Sequence, residues 1–392
     1  MASVKFRWNV SGTYMQVIPR FISTAPDGES DVQEFLPEYF ESVGAMNSMV
    51  FLKGYQWPFD ARKVHGGSSI VDILVYIETV LKGRRVFMDF RRNPQGFNFE
   101  TLSPEALDYL TKSEALLDTP IARLQKMNPG AIELYMDHGI DITQEPLEIA
   151  VCAQHNNGGL AGNAWWESAN IKHLFPIGEV NGSHGVYRPG GSALNSGQVA
   201  AFRAAEFIAN CYADWTVSES TVEQSASMAA TALLTWMTQA SGAANPWQQE
   251  REAFQARMTR AGAHIRSQDE LREAIAEAWA QWARNGQTGA GADPTNLSES
   301  LRNRQLCFAH AVYLEAIRFA LESGVGSRGS AIALNPEGVK IHDKLDDSWC
   351  ITPEDPAFKA KVLESVANLE SAPGKPSVKH TWVDRRPIPE TD

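Results

Sequence analysis

From about Tyr212 onward, apolar residues recur at helical spacing with little interruption, whereas the residues before it mix strand-like and helical patterns. That change of period constrains the fold most. A stripe repeating every 3.6 residues buries on a neighbouring helix, and a period of two buries on one face of a sheet. The chain must therefore combine a mixed first part with a helical second part. In the second part, Ser267-QDELREAIAEAWAQWA opens with Ser267 three residues before Glu270, a capping-box spacing. It continues as a stripe of Leu271, Ile275, Trp279 and Trp282. NGQTGAGADPTN, 285–296, reads as a flexible link, and Leu301 to Leu321 as a long helix closed by Gly324. The proline-rich tail APGKPSVKHTWVDRRPIPETD reads as extended on a surface.

The first part is more varied. VKFRWNV and MQVIPRFIS suit short strands, and SDVQEFLPEYFESVG suits a helix. Ile70, Ile73, Leu74, Ile77 and Leu81 form a helical repeat closing on Gly83. RRVFMDFRR alternates as a strand. SPEALDYLTKSEALL and TPIARLQKMNPGAIELYMDHG each open with Ser or Thr followed by proline, the chemistry of a capped helix start. LEIAVCAQHNNGGL, from 147, reads as a buried strand entering a polar turn, and HLFPIGEV as a second short strand.

A length of 392 residues allows about two or three domains. The net charge of −12, with no basic block, argues against nucleic acid as a partner. No apolar run is long enough to span a membrane, and MASVKFRWNV does not read as a signal peptide. Cys152, Cys211, Cys307 and Cys350 lie far apart without metal-site spacing, so buried reduced thiols and a cytoplasmic location are expected.

Two glycine-rich segments invite a ligand. SGVGSRGS holds Gly324-x-Gly326-x-x-Gly329, the spacing of a dinucleotide fingerprint, but a helix precedes it and strand-like AIAL follows. The fingerprint needs the reverse order, so that a helix N-terminus meets the pyrophosphate. The second segment, GEVNGSHGVYRPGGSALNSGQ, runs from Gly178 to Gln198. Its reading as a strand end puts Glu179 where ligands bind in open α/β sheets, suited to paired ribose or ribityl hydroxyls. GGSALN then opens a helix whose free N–H groups could face an electron-rich ring edge. A glycine-rich turn packing a helix on a sheet would fit the same residues.

This segment resembles the flavoprotein subunits of the succinate dehydrogenase and fumarate reductase family, which includes L-aspartate oxidase. That family carries Gly-Glu and then His-Gly-Ala-Asn-Arg-Leu-Gly-Gly/Ser-Asn-Ser-Leu. Gly178-Glu179 and His184-Gly-Val-Tyr-Arg188-Pro-Gly-Gly-Ser-Ala-Leu194 keep the same register. Val86-FMDFR91, the turn Gln154-His-Asn-Asn-Gly-Gly159, Phe254-QARMTRAGAHIR266 and Gly326-SRGSA331 are similar to further family segments, in the family's order. The resemblance implies an α+β capping portion over 1–149 and a C-terminal segment of an α/β FAD-binding domain over 150–212. A mostly α-helical C-terminal domain with its extended tail would follow over 213–392. It implies non-covalently held FAD, with Glu179 on its ribityl or ribose part and Gly158, Gly159, Gly191, Ser192, Ala193 and Leu194 by the flavin. Arg188 would clamp the carboxylate of a small substrate, with His184 and His155 beside it as candidates for proton handling. The implied reaction is hydride transfer between flavin N5 and a substrate carbon.

The sequence also departs from the family. The N-terminal third, with its Rossmann fingerprint, is absent, so the adenine and pyrophosphate end of FAD has no home. Gln154 occupies the position of a substrate-binding His, His155 is shifted by one, and the capping-domain Arg-Gly-Glu-Gly-Gly segment is missing. Two expectations stay open. The chain is part of an FAD enzyme completed by an N-terminal flavin-domain partner or by self-association, or it is a flavin-free assembly subunit that binds a protein partner.

Overall fold

The structure, a computed structural model, describes all residues except 57, 154–157, 183, 186–187, 189–190, 240–246, 290, 292, 370–375 and 387–392. The chain divides into two compact units, Met1–Cys152 with Gly326–Glu354, and Ala153–Val325 with Asp355–Asp392.

In the first unit the strands β1 (Ala2–Ser3), β2 (Arg20–Thr24), β3 (Arg85–Asp89) and β4 (Leu147–Ala150) form an antiparallel sheet in the order β1-β4-β3-β2. Met88 pairs with Phe21 on one side and with Leu147 on the other, so the alternation of RRVFMDFRR places a central strand as its pattern suggested. The helices are α1 (Thr13–Gln16), α2 (Val43–Tyr55), α3 (Ile70–Tyr76), α4 (Pro104–Lys112), α5 (Pro120–Met127) and α6 (Gly130–Met136). Ser103 and Thr119 cap α4 and α5, each accepting from the backbone N–H three residues on. Every residue of α3 is buried, and a π-helical turn, Ile77–Leu81, prolongs it. Its Asp72 makes a fully buried ion pair with Lys53 of α2 at 2.6 Å.

Two expectations for this part fail locally. SDVQEFLPEYFESVG gives only the 3-10 turn Leu36–Tyr39, because Pro37 tolerates just a first turn, and α2 starts afresh after Ser42 accepts from Ala45 N–H. VKFRWNV forms no strand: β1 ends at Ser3, and Arg7 adopts φ 58° and turns the chain. The later strands β6 (Ile332–Lys340) and β7 (Cys350–Ile351) pair antiparallel and belong to this unit.

The second unit holds the long helices α7 (Ser192–Cys211), α8 (Glu219–Gln239), α9 (Trp247–Arg257), α10 (Gln268–Thr288) and α11 (Leu297–Glu322), and a two-residue strand β5 (Ile265–Arg266). Ser267 caps α10 by accepting from Glu270 N–H. The α10 stripe meets α11 in a core that includes Leu271, Ala274, Ile275, Ala278, Trp279, Ala311 and Leu314. As the order of signals required, α11 precedes the Gly324-x-Gly326-x-x-Gly329 segment and β6 follows it. The tail is not a lone extended segment. Strand β9 (Ser377–Asp384) pairs along its length with β8 (Lys361–Asn368) as an antiparallel hairpin. None of the four cysteines forms a disulfide, but only Cys307 and Cys350 are buried, since Cys152 and Cys211 are exposed. No described helix is long and apolar enough to cross a membrane.

Candidate functional site

HLFPIGEV is not a strand. Pro176 removes a donor, His173 turns the chain at φ 65°, and no described strand runs beside it to take its backbone groups. Instead Gly178–Asn181 makes one 3-10 turn, closed by Gly182 at φ 73°. Glu179 therefore stands on this turn, exposed, and not at a strand end. Its Oε1 lies 3.6 Å from His184 Nδ1. The His184 side chain is only 6% exposed, and its Nε2 is buried without a hydrogen-bond partner among the described residues. Arg188 Nη1 donates to the Gly185 carbonyl at 3.0 Å. His155 and Gln154 lie outside the described residues, as does Tyr187.

The glycine turn Gly158–Gly159 comes directly against this loop. Leu160 N–H donates to Val180 O at 2.7 Å, and Asn181 Nδ2 donates to Leu160 O at 3.0 Å. The approach is backbone on backbone. A Cβ on Gly159 would sit 2.3 Å from Val180 O, and one on Gly182 would sit 2.6 Å from Gly159 N. Gly158 and Gly159 are thus brought to Glu179, although the two segments lie some twenty positions apart.

Helix α7 then begins at Ser192 behind Gly191, which takes φ 77° and offers no side-chain cap. Ser192, Ala193 and Leu194 form its first turn, and Leu194 is 78% exposed. A helix start with no capping side chain leaves N–H groups and the positive dipole end for an anion or an electron-rich edge. Such a start suits the pyrimidine edge of a flavin, and the exposed Glu179 suits its hydroxyls. The described residues hold no strand–GxGxxG–helix unit for the pyrophosphate, so the fit covers the flavin end alone. No group of three metal-ligating side chains occurs among the described residues.

An aromatic clasp holds the loop to the far half of α7. Trp165 stacks on Phe207 with Arg203 over its face, and His173 lies 4.2 Å from both Tyr212 and Trp215, ring centre to ring centre. Glu167 accepts from His173 N–H at 3.0 Å and from the Tyr212 hydroxyl. That last bond pushes the Tyr212 phenol up to about 12 and lowers the Glu167 carboxyl. This clasp escaped the sequence reading. Its signal, aromatic residues at 165, 166, 173, 175, 207, 212 and 215, is scattered over two segments. Tyr313 of α11 escaped it too, and its ring packs against Gly158.

No sequence-family model matches the chain. A 71-residue segment is 45% identical to a fumarate reductase (CoM/CoB) subunit of Methanothermobacter marburgensis, covering 18% of this chain and 13% of that protein. A 92-residue segment is 38% identical to an uncharacterized FAD-dependent oxidoreductase of Methanocaldococcus jannaschii, covering 22% and 17%. A third, of 91 residues, is 34% identical to L-aspartate oxidase of Vibrio cholerae serotype O1, covering 23% and 17%. Among solved structures, the chain is similar to a quinol-fumarate reductase with menaquinol molecules, at TM-score 0.54 and 16% identity. It is also similar to a variant FrdA chain of E. coli quinol fumarate reductase, at TM-score 0.56 and 17% identity. Each fold match covers 95% of this chain and 56% of the solved one. The relatives in sequence and the neighbours in fold are thus fumarate reductase and related FAD-dependent flavoproteins, and this chain spans little more than half of such a chain.

Proposed function

We propose that this chain is the capping, flavin-edge and helical part of an FAD-dependent oxidoreductase acting on a small carboxylate-bearing substrate. Residues 1–149 would be the capping portion, 150–212 the end of the FAD-binding domain and 213–392 the helical domain. The observation that carries this reading is the family register from Gly178 to Leu194, set at a helix start that has no capping side chain. Bound FAD would supply a hydride acceptor or donor at N5. The chain's own residues would then hold and orient. Glu179 would accept from ribityl or ribose hydroxyls. Gly158 and Gly159 would contribute backbone groups beside the flavin, Gly191 would leave room for close approach, and the N–H groups of Ser192, Ala193 and Leu194 would face the pyrimidine edge. Arg188 would hold the substrate carboxylate by two parallel charge-assisted hydrogen bonds.

His184 has the surroundings of a proton-handling group. With Nδ1 turned toward Glu179, its buried Nε2 lacks a partner among the described residues, so a substrate oxygen or carbon acid there would complete it. His155 is the second candidate, on its place beside the glycine turn.

Completion by a flavin-domain half is part of the proposal. Leu194 and Phe202 of α7 are each 78% exposed, and such a face invites an apolar partner. The test is to co-express the chain with a flavin-domain half of a related protein and record the visible spectrum. A flavin absorption band in the purified complex, with turnover abolished by Arg188→Ala but the band retained, is expected. A complex that forms without colour would overturn the proposal in favour of a flavin-free assembly subunit.

A further inference from the structure

The Gly158–Gly159 turn is gripped from two sides. On one side lies the backbone of Val180–Gly182, as described above. On the other lies Tyr313 of α11. A Cβ on Gly158 would sit 2.7 Å from Tyr313 Cε1, 3.0 Å from its Oη and 3.2 Å from its Cζ. The ring therefore occupies the space that any side chain at 158 would need. Tyr313 itself has little freedom, since its helix neighbours Leu314, Ala311 and His310 are buried, the first two in the core shared with α10. A ring on a packed helix is a rigid template, and a two-glycine turn is the most deformable backbone in the site.

We infer that Tyr313 is the positioning residue of the site, the surface against which the Gly158–Gly159 turn is set so that its backbone lies against Val180–Gly182, next to Glu179. This rests on the flavin-edge reading above. The ring does the positioning, so alanine at 313 removes it. The template also acts sterically: a methyl group at 158 is harmful because the ring is there, and removing the ring makes room for it.

The experiment compares the parent with Tyr313→Phe, Tyr313→Ala, Gly158→Ala and the double variant Gly158→Ala/Tyr313→Ala. Two quantities are read on the full chain: thermal unfolding alone, and FAD affinity in the presence of a flavin-domain half, from the quenching of FAD fluorescence. Tyr313→Phe, which keeps the ring, should bind FAD more tightly than Tyr313→Ala, while Tyr313→Ala and Gly158→Ala should each lose about tenfold relative to the parent. The double variant should be no worse than either single one, and its melting temperature should exceed the value expected from adding the two separate losses. Additive effects with FAD still bound, or a Tyr313→Ala variant that binds FAD like the parent, would overturn the role of Tyr313 alone. A parent complex that takes up no FAD would overturn the flavin reading itself, and the turn's role with it.

Discussion

His310 shows how one residue ties the helical unit to pH. It lies in α11, 6% exposed, with Nε2 3.4 Å from Arg257 Nη1 and its ring near Phe254 of α9. Burial, and then the Arg257 charge, lowers its pKa from 6.5 to about 4. Gln281 of α10 accepts from Arg257 Nη1 at 2.7 Å and Glu277 from its Nε at 3.0 Å, so the guanidinium is held toward the imidazole. A base whose folded pKa is depressed binds its proton more readily when unfolded. Its contribution to stability is therefore complete above pH 6.5 and is lost as pH falls toward about 4. In that window the loss should approach about 1.4 kcal/mol per pH unit. Urea unfolding of the parent and of His310→Gln across this range should give a shallower slope for the variant, and equal slopes would contradict the assignment. Nothing in the sequence marks His310 as buried beside an arginine. The helical stripe fixes its place on α11, but Arg257 arrives from another helix.

At the scale of elements, the hairpin β8–β9 depends on what it rests upon. A two-stranded hairpin is marginal alone in water. Here Trp382 donates from Nε1 to Ser323 Oγ at 2.9 Å, and its ring packs against Phe358 and Phe319. Opposite strand positions place Ser365 Oγ 2.8 Å from His380 Nδ1, and His380 stacks on Phe319. Trp382→Ala should cost about 2 kcal/mol, less than a fully buried tryptophan because the side chain is part-exposed. It should also speed amide exchange across 361–368 and 377–384 while the amides of α10 and α11 stay protected. Uniform loss of protection would mean that the hairpin is integral to the core of this unit. The tail was expected to lie extended on a surface, and a strand becomes one only when a partner takes its backbone groups. KVLESVAN carried no comparable signal. HLFPIGEV shows the converse: a strand-like composition without a neighbour gave a turn.

At the scale of the whole chain, the most informative surface is that of α7 and α8. Val222, Met228 and Leu234 of α8 are 50%, 67% and 60% exposed, and the only charges along its 21 residues are Glu219 and Glu223. A helix bathed in water on most sides ordinarily carries many charges. Added to Phe202 on α7, this predicts that the isolated chain self-associates at micromolar concentration until a partner covers these side chains. Light scattering should show oligomers, and Phe202→Asp should shift them toward the monomer. A parent chain that is monomeric throughout would contradict this. The fold likeness to a flavoprotein subunit across 95% of the chain was legible from five short segments in order, because glycine-rich turns and helix starts keep their residues where backbone geometry demands them.

The sequence alone determined which residues can form which local element. Capping serines and threonines started α2, α4, α5 and α10, period-two alternation made β3, and the helical stripe brought α10 and α11 together. It also singled out the stretch from Gly178 to Leu194 as the candidate site. Tertiary structure alone decided what those residues face: Glu179 on a turn beside His184, the turn at Gly158 against Tyr313, and the hairpin made from the tail. The physical reason is range. Caps, turns and amphipathic stripes act over a few residues of one segment, whereas a buried imidazole, a strand's partner or a ring filling a glycine's empty space is supplied by a segment far away in the chain, chosen only when the core closes.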